Sequence, residues 1–332
     1  MGLAAALIAG VLRLDLAEKA LVAPVNISLA VLVAGLAFRA LGGYMRRAIW
    51  GALVFMPMGV FLFVLVVALG LLSSVITAII AALVLVEVIS ILRLPRKLEV
   101  GLNVVACFAI GLGAALTPVG EPLATIAISK LDQGFWYLAI LIGPYIVPGI
   151  LGLGAFAALY LPRLAPGFRA AGDAGKAGSA GEAGDVGREA ADAGERGFVA
   201  PQDAETYWGV VVRALKVYLF VMALVMLGEG FKPVIDRFVI GLPSPILYWL
   251  NMVSAILDNA TLTAAEISLK MNSLQVRSVL MGLLISGGML IPGNIPNIIS
   301  AGKLRIGSRE WAALGVPLGL VVMVVYFIIL FV

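Results

Sequence analysis

Long apolar runs separated by short polar or basic punctuation organise the chain. A membrane helix needs ~20 apolar residues to cross ~30 Å of hydrocarbon, and that ruler divides the sequence. Residues 3–12 are too short to span alone. Residues 25–42 make a span ending at Gly42-Gly43, followed by the pair Arg46-Arg47. Residues 48–92 are apolar apart from Ser73-Ser74 and Thr77, and end in the basic loop RLPRK. This stretch reads either as two full spans or as a re-entrant hairpin with its tip at the serines. Residues 100–131 are apolar but broken at Thr117-Pro118-Val119-Gly120-Glu121-Pro122, and 134–161 make a further span.

The pattern then stops and restarts. Residues 170–197 hold 17 alanines and glycines in 28 positions with charges of both signs, which predicts a flexible, disordered linker. Apolar runs resume at 207–228 and, after an amphipathic connector, at 244–271, interrupted by Asp258-Asn259-Ala260-Thr261. Residues 275–304 are broken at Pro292-Gly293-Asn294-Ile295-Pro296-Asn297, and 311–332 close the series. The expected organisation is a first membrane repeat over 1–162, a linker over 163–205 and a second membrane repeat over 206–332.

Both halves show the same order: a helix, a polar-tipped apolar segment, a helix broken by proline and glycine, and a closing helix. An offset of 173 superimposes Gly120 on Gly293, Glu121 on Asn294, Ile126 on Ile299, Lys130 on Lys303 and Leu131 on Leu304. If each polar-tipped segment returns to its own side, each half crosses three times and the second is inverted relative to the first. Inverted repeats with paired broken helices are the pattern of secondary transporters, whose sites lie near the midplane. The prediction is therefore an all-α, polytopic, multi-pass protein of the cell membrane with two inverted repeats.

Composition agrees and removes other classes. The chain is 62% hydrophobic and 13% charged, with a mean hydropathy of +1.10, more apolar surface than a soluble fold can hide. Its apolar runs are too long and continuous for an outer-membrane barrel. One cysteine and no histidine leave no disulfide framework, no thiolate metal site and no imidazole proton shuttle. Residues 163–205 carry 5 basic and 8 acidic side chains, leaving 18 basic and 11 acidic elsewhere. That excess is a topology signal rather than a nucleic-acid footprint. Arg46, Arg47, Arg93, Arg96, Lys97, Arg305 and Arg309 fall on one side with the linker, and that side is predicted to be cytoplasmic. The first apolar run has no preceding basic residue, so a removed signal peptide is not expected.

The breaks are where chemistry is expected. An unwound turn in hydrocarbon exposes amide and carbonyl groups that cost several kcal/mol each unless protein or ligand satisfies them. Half-helices ending near Thr117 and Ile291 present carbonyls, which favour cations, and those starting at Glu121-Pro122 and Asn294-Ile295-Pro296 present free N–H groups. An intramembrane carboxylate costs ~2.5–3.5 kcal/mol on insertion scales, so Glu87, Glu121, Asp258 and Glu266 each need a reason. Asp258, Asn259, Thr261 and Thr263 form a run of oxygen donors suited to a hard cation at a re-entrant tip, with helix capping as the plain alternative. Ser73, Ser74 and Thr77 would add weaker ligands, although membrane serines more often bond a preceding carbonyl. With no histidine, exchanged protons would ride on a carboxylate raised in pKa by burial, Asp258 first, then Glu121 and Glu266. An intramembrane protease would want paired aspartates or histidine ligands, so no enzyme activity is expected.

The residues LDNATLTAAEI and GGMLIPGNIPNIISAGKL, with NISLAVLVAGL and GAALTPVGEPLATIAISKL, resemble a prokaryotic family of cation transporters in the ion transporter superfamily. That superfamily includes sodium/proton antiporters of the NhaD type, arsenite carriers and dicarboxylate carriers. The resemblance implies that hairpin tips and broken helices bind coupling ion and substrate, and that the protein is a homodimer. Carried over by position, Asp258-Asn259-Ala260-Thr261 resembles a Ser-Asn-Thr tip, and Gly293-Asn294-Ile295-Pro296-Asn297 resembles a Gly-Thr-Pro-Pro-Asn break. This makes Asp258, Asn259 and Thr261 candidate sodium ligands, with Asn294, Asn297, Thr117 and Glu121 at the breaks. The first half departs, with Ser73-Ser74 at its tip and Ala124 in place of an asparagine, so the second half is the expected site. No cofactor is expected beyond the transported cation, such as sodium, and protons. The expected function is sodium/proton antiport, with a sodium-coupled or uniport carrier of a small anion as the alternative and a membrane scaffold behind both.

Overall fold

A computed structural model describes residues 57–164 except Arg93, residues 241–332 except Leu257 and Asp258, and helical positions scattered through 21–36 and 207–222. Arg46, Arg47, Asp258 and nearly all of the expected linker therefore lie outside the described residues. Those described form helices and no strand. In chain order they are α1 (Met58–Ile76), α2 (Ala78–Leu92), α3 (Arg96–Ala114), α4 (Pro122–Leu131) and α5 (Tyr137–Tyr160), which runs into a 3-10 turn at Leu161–Leu164. Then follow α6 (Ser244–Leu250), a 3-10 turn at Asn251–Ala255, α7 (Asn259–Glu266), α8 (Ser273–Gly287), a 3-10 turn at Ile291–Gly293, α9 (Ile295–Leu304) and α10 (Ser308–Phe331).

Four of these are long and apolar enough to cross a membrane: α1, α3, α5 with its 3-10 turn, and α10. They differ in position. Within its apolar window α3 is 89% buried and α10 only 22%, so α3 is the axis of the bundle and α10 lies on its outside. Close approach to α3 is permitted by glycine. A Cβ at Gly113 would sit 1.7 Å from the Gly70 carbonyl oxygen of α1, and one at Gly70 would meet Ile150 of α5 at 2.9 Å. Only a bare backbone lets these three helices touch, a device common in membrane bundles.

One end of the bundle gathers the start of α3 and the ends of α5 and α9. Gly101 packs on Leu161 and Leu164. Arg96 donates to the Leu304 and Arg305 carbonyls at 3.1 and 2.9 Å and pairs with Glu310 at 2.8 Å. The basic positions 96–97 and 303–309 thus share one end, as the sequence predicts. At the other end Lys130 donates to the Ala264 carbonyl, and Arg277 donates to Tyr145 Oη at 2.9 Å. The α3–α4 segment and the α8–α9 segment therefore run in opposite directions.

The α1–α2 hairpin turns at Thr77, not at the serines. Ser73 and Ser74 sit in the last turn of α1, where their hydroxyls reach back to the Gly70 and Leu71 carbonyls at 2.6 and 2.7 Å. A hydroxyl satisfied in this way does not end a helix. The turn lies inside the bundle. Ala78 N–H donates to the Gly120 carbonyl at 2.9 Å, and nearby Leu116 lies against Gly143. Gly143 is six residues, about 9 Å, along α5 from its start. In the second half the interruption begins earlier than predicted, at Asn251, where α6 gives way to the 3-10 turn.

Candidate functional site

The two breaks share a backbone design. Glu121 and Asn294 precede α4 and α9 in the same extended conformation, φ −154°, ψ 160° and φ −150°, ψ 149°. Each following helix has 10 residues and ends in a left-handed residue, Asp132 at φ 51° and Arg305 at φ 52°. A Cβ at Gly120 would meet the Ala114 carbonyl oxygen at 2.0 Å, and one at Gly293 the Gly287 oxygen at 2.6 Å. Glycine is required at both, because the chain folds back onto the end of the helix it has just left. The outer helices repeat the arrangement, with Gly143 against Leu116 and Gly315 against Met289. Every one of these pairs is 172 or 173 residues apart.

Each hairpin tip is anchored to its broken helix by one serine. Ser73 Oγ lies 2.9 Å from the Ile110 carbonyl oxygen, and Ser254 Oγ lies 2.9 Å from that of Leu283. Here the serines are 181 apart and the carbonyls 173. The largest part of the difference is the shorter returning helix, 15 residues in α2 and 8 in α7. Sequence reasoning misses Ser254 because it lies upstream of the polar run that attracts attention. The tip helices then cross over, α2 packing on α9 and α7 on α4.

At the first break hydroxyls and a backbone amide take the carbonyls of the turn. Thr117 Oγ1 donates to the Ser74 carbonyl, Ala78 N–H takes the Gly120 carbonyl, and Thr125 Oγ1 donates to Pro118 at 2.7 Å. Thr117, Ser73, Ser74 and Thr77 are all buried there. Thr77 holds φ 77°, ψ 146°, a conformation costly for a β-branched residue. Glu121 is buried and precedes α4 without capping it through its side chain.

The second break is lined by amides. Asn297 spends both N–H groups on carbonyls, that of Gly287 at the end of α8 at 2.8 Å and that of Leu290 in the break at 2.9 Å, the latter also accepting from Gly293 N–H at 3.3 Å. Trp311 Nε1 takes the neighbouring Gly288 carbonyl at 3.1 Å. Asn294 Oδ1 accepts from Ile295 N–H at 2.8 Å. From the tip, Asn259 Oδ1 lies 2.6 Å from Ser254 Oγ, which is 3.0 Å from Ser286 Oγ. The Asn259 amide also lies directly over Gly287, where any Cβ would clash with it. Two buried atoms here have no hydrogen-bond partner among the described residues, Asn297 Oδ1 and Asn259 Nδ2, and both side chains touch Gly287.

The oxygen run expected from the tip divides. Asn259 and Thr263 face inward one turn apart, with Thr263 Oγ1 donating to the Asn259 carbonyl at 2.8 Å. Thr261 lies on the exposed side of α7, because two residues of helix turn through about 200°. Glu266, partly buried, accepts from Asn251 Nδ2 at 2.8 Å at the far end of α7. Glu87 is partly buried on α2. Asp258, the residue immediately before α7, lies outside the described residues.

The fold is that of an all-α membrane protein built around two buried helix breaks. The chain belongs to a family described as a protein of unknown function (DUF1646), matched over residues 1–170 and 186–332. The unmatched gap falls within the alanine- and glycine-rich linker. No curated protein matches the chain.

Proposed function

We propose that the protein is a secondary active transporter that exchanges a monovalent cation, sodium, for protons by alternating access, and that its two halves are inverted repeats. The opposite directions of the two broken segments and the recurrence of their caps, glycines and serine anchors support the repeat. A lipid bilayer covers the exposed apolar face of α10 (Val321, Val324, Val325, Ile328), the end carrying Arg96 and Arg305 faces the cytoplasm with the linker, and the transporter is a homodimer.

The observation that carries the reading is the second break. Asn297 is fully buried, both its N–H groups are committed, and its oxygen is left without a partner among the described residues, beside the end of α8. Neutral amide, hydroxyl and carbonyl oxygens of this kind suit a monovalent hard cation, whereas a divalent ion would call for several carboxylates. Asn259, Asn294 and Asn297 hold the ion with Asp258, and Asp258, Glu121 or Glu266 carries the exchanged proton.

Reconstitution in proteoliposomes with a pH-sensitive dye tests this. A sodium gradient should move protons in the native protein and fail to do so in Asp258→Asn. If sodium moves no protons but accelerates uptake of a small carboxylate or oxyanion, the free N–H groups of α4 and α9 hold the substrate and the protein is a sodium-coupled anion carrier.

A further inference from the structure

Beside the second break, α3 and α9 pack antiparallel along a polar seam. Asn103 Nδ2 donates to Ser300 Oγ at 3.1 Å. One turn further along α3, the Cys107 thiol lies 3.2 Å from the same Ser300 Oγ and faces the Pro296 carbonyl. After one more turn Gly111 offers only backbone, and the Asn294 amide lies over it, 2.6 Å from where a Cβ would stand. Positions 103, 107 and 111 form one face of α3. The seam so formed runs eight residues, about 12 Å, from the second break toward the end where Arg96 holds the last carbonyls of α9.

Packing does not require these residues. The positions 173 residues away are Val276, Leu280 and Leu284 on α8 and Ala127 on α4, all buried and apolar. At the seam, by contrast, Asn103 and Ser300 are wholly buried, and Asn103 Oδ1 accepts no hydrogen bond from the described residues. A buried oxygen left open costs about 1–3 kcal/mol. Ser300 Oγ already accepts from Asn103 and reaches the Asn297 carbonyl at 3.3 Å, so it cannot relieve that oxygen. What remains open along the seam is acceptor, not donor, and the ligand it suits is a cation.

Resting on the transport reading above, we propose that Asn103 Oδ1 and Ser300 Oγ form a second, transient position for the monovalent cation, between the second break and the basic end of the bundle. The ion leaves the Asn297 site, pauses between α3 and α9, and passes out beneath Arg96. Neutral ligands hold it weakly enough to release, as a station on a path must.

The test uses the full-length protein in proteoliposomes and its single native cysteine as reporter. N-ethylmaleimide should alkylate Cys107 several-fold more slowly in sodium chloride than in choline chloride, because the ion ties together the oxygens beside the thiol. Asn103→Asp should lower the KM for sodium uptake several-fold by adding a formal charge, and Asn103→Ala should raise it about tenfold (about 1.4 kcal/mol). Both variants should keep the sodium-dependent rise in Tm that comes from the second break. An alkylation rate, zero included, that is the same in sodium and choline overturns the proposal. So do KM values for both variants within twofold of the native protein, whatever their stability. If the native protein neither transports sodium nor is stabilised by it, the antiport reading falls and this one with it. If the native protein does both and the seam variants behave as it does, only the seam is wrong.

Discussion

The two breaks share a backbone and differ in how their polar groups are satisfied. At the first, each exposed carbonyl of the turn that a hydroxyl or amide can reach is taken by one: Ser74 by Thr117, Gly120 by Ala78 and Pro118 by Thr125. At the second, Asn297 and Trp311 cover the carbonyls at the end of α8, but the amides that do so bring a spare oxygen and a spare N–H into the interior. A threonine hydroxyl is complete once it has donated, whereas an asparagine has two ends, and burying it for one leaves the other. The difference separates structure from candidate chemistry. At the first break the carbonyls of the turn are closed by hydroxyls and an amide, whereas at the second the side chains that close them leave open valences of their own, each costing about 1–3 kcal/mol if nothing binds.

The largest effects should come where the breaks are alike. Gly120→Ala places a Cβ 2.0 Å from the Ala114 oxygen and Gly293→Ala one 2.6 Å from the Gly287 oxygen, both backbone atoms that cannot swing away. Each should cost several kcal/mol, more at Gly120, and size-exclusion profiles in detergent should show aggregated protein. A monodisperse Gly120→Ala variant with native Tm would mean that the first break is not folded as described.

Next come substitutions that should separate the breaks. Asn297→Ala strands the Gly287 carbonyl and leaves that of Leu290 with only its 3.3 Å bond from Gly293 N–H, but removes an unpaired oxygen, so its net cost should be about 1–3 kcal/mol, accompanied by loss of any sodium-dependent rise in Tm. Thr125→Val strands only the Pro118 carbonyl and should cost about 1–2 kcal/mol with the sodium response intact. Equal loss of the sodium response in both variants would mean that the two breaks do not differ in this way.

A gain is expected at Thr77. Glycine adopts φ 77°, ψ 146° freely, so Thr77→Gly should raise stability by up to about 1–2 kcal/mol, less the weak bond from Ile80 N–H to its hydroxyl at 3.4 Å. A fall in Tm would show that the hydroxyl matters more than the strain. The smallest effect belongs to Arg96→Gln, whose ion pairs with Glu99 and Glu310 are largely exposed. Its slight loss in Tm should shrink in high salt, where screening already weakens the pairs, leaving the part owed to the bonds from Arg96 to the Leu304 and Arg305 carbonyls.

Much of this plan is legible in the chain. Prolines four residues apart with a glycine between them cannot continue a helix through a long apolar run, so both breaks and the two short helices after them are legible, with Gly120 and Gly293 in register. Basic clusters marked the end where Arg96 meets Arg305. The hairpin tips were harder. Serine, threonine and asparagine are equally at home inside a membrane helix and at its end, because each can bond a carbonyl of the preceding turn. In the hairpin alternative Ser73-Ser74 therefore reads as a turn that in the fold falls at Thr77, and Ser254, which anchors the second tip, gives no signal of its own. Thr261 looked like a neighbour of Asn259 until α7 continued as helix and carried it to the other side.

Hydrophobic periodicity, length and the rigid habits of proline and glycine determine by themselves that this chain is a helical membrane protein with two interrupted helices. Those are local properties, fixed by a residue and its near neighbours along the chain. Which polar groups are satisfied is not local. Whether Asn297 keeps a free oxygen, or Asn103 meets Ser300 across 197 positions, depends on helices brought together from opposite halves of the chain. Only the tertiary structure decides that, because a hydrogen bond is settled by the distance between two atoms and not by the identity of either.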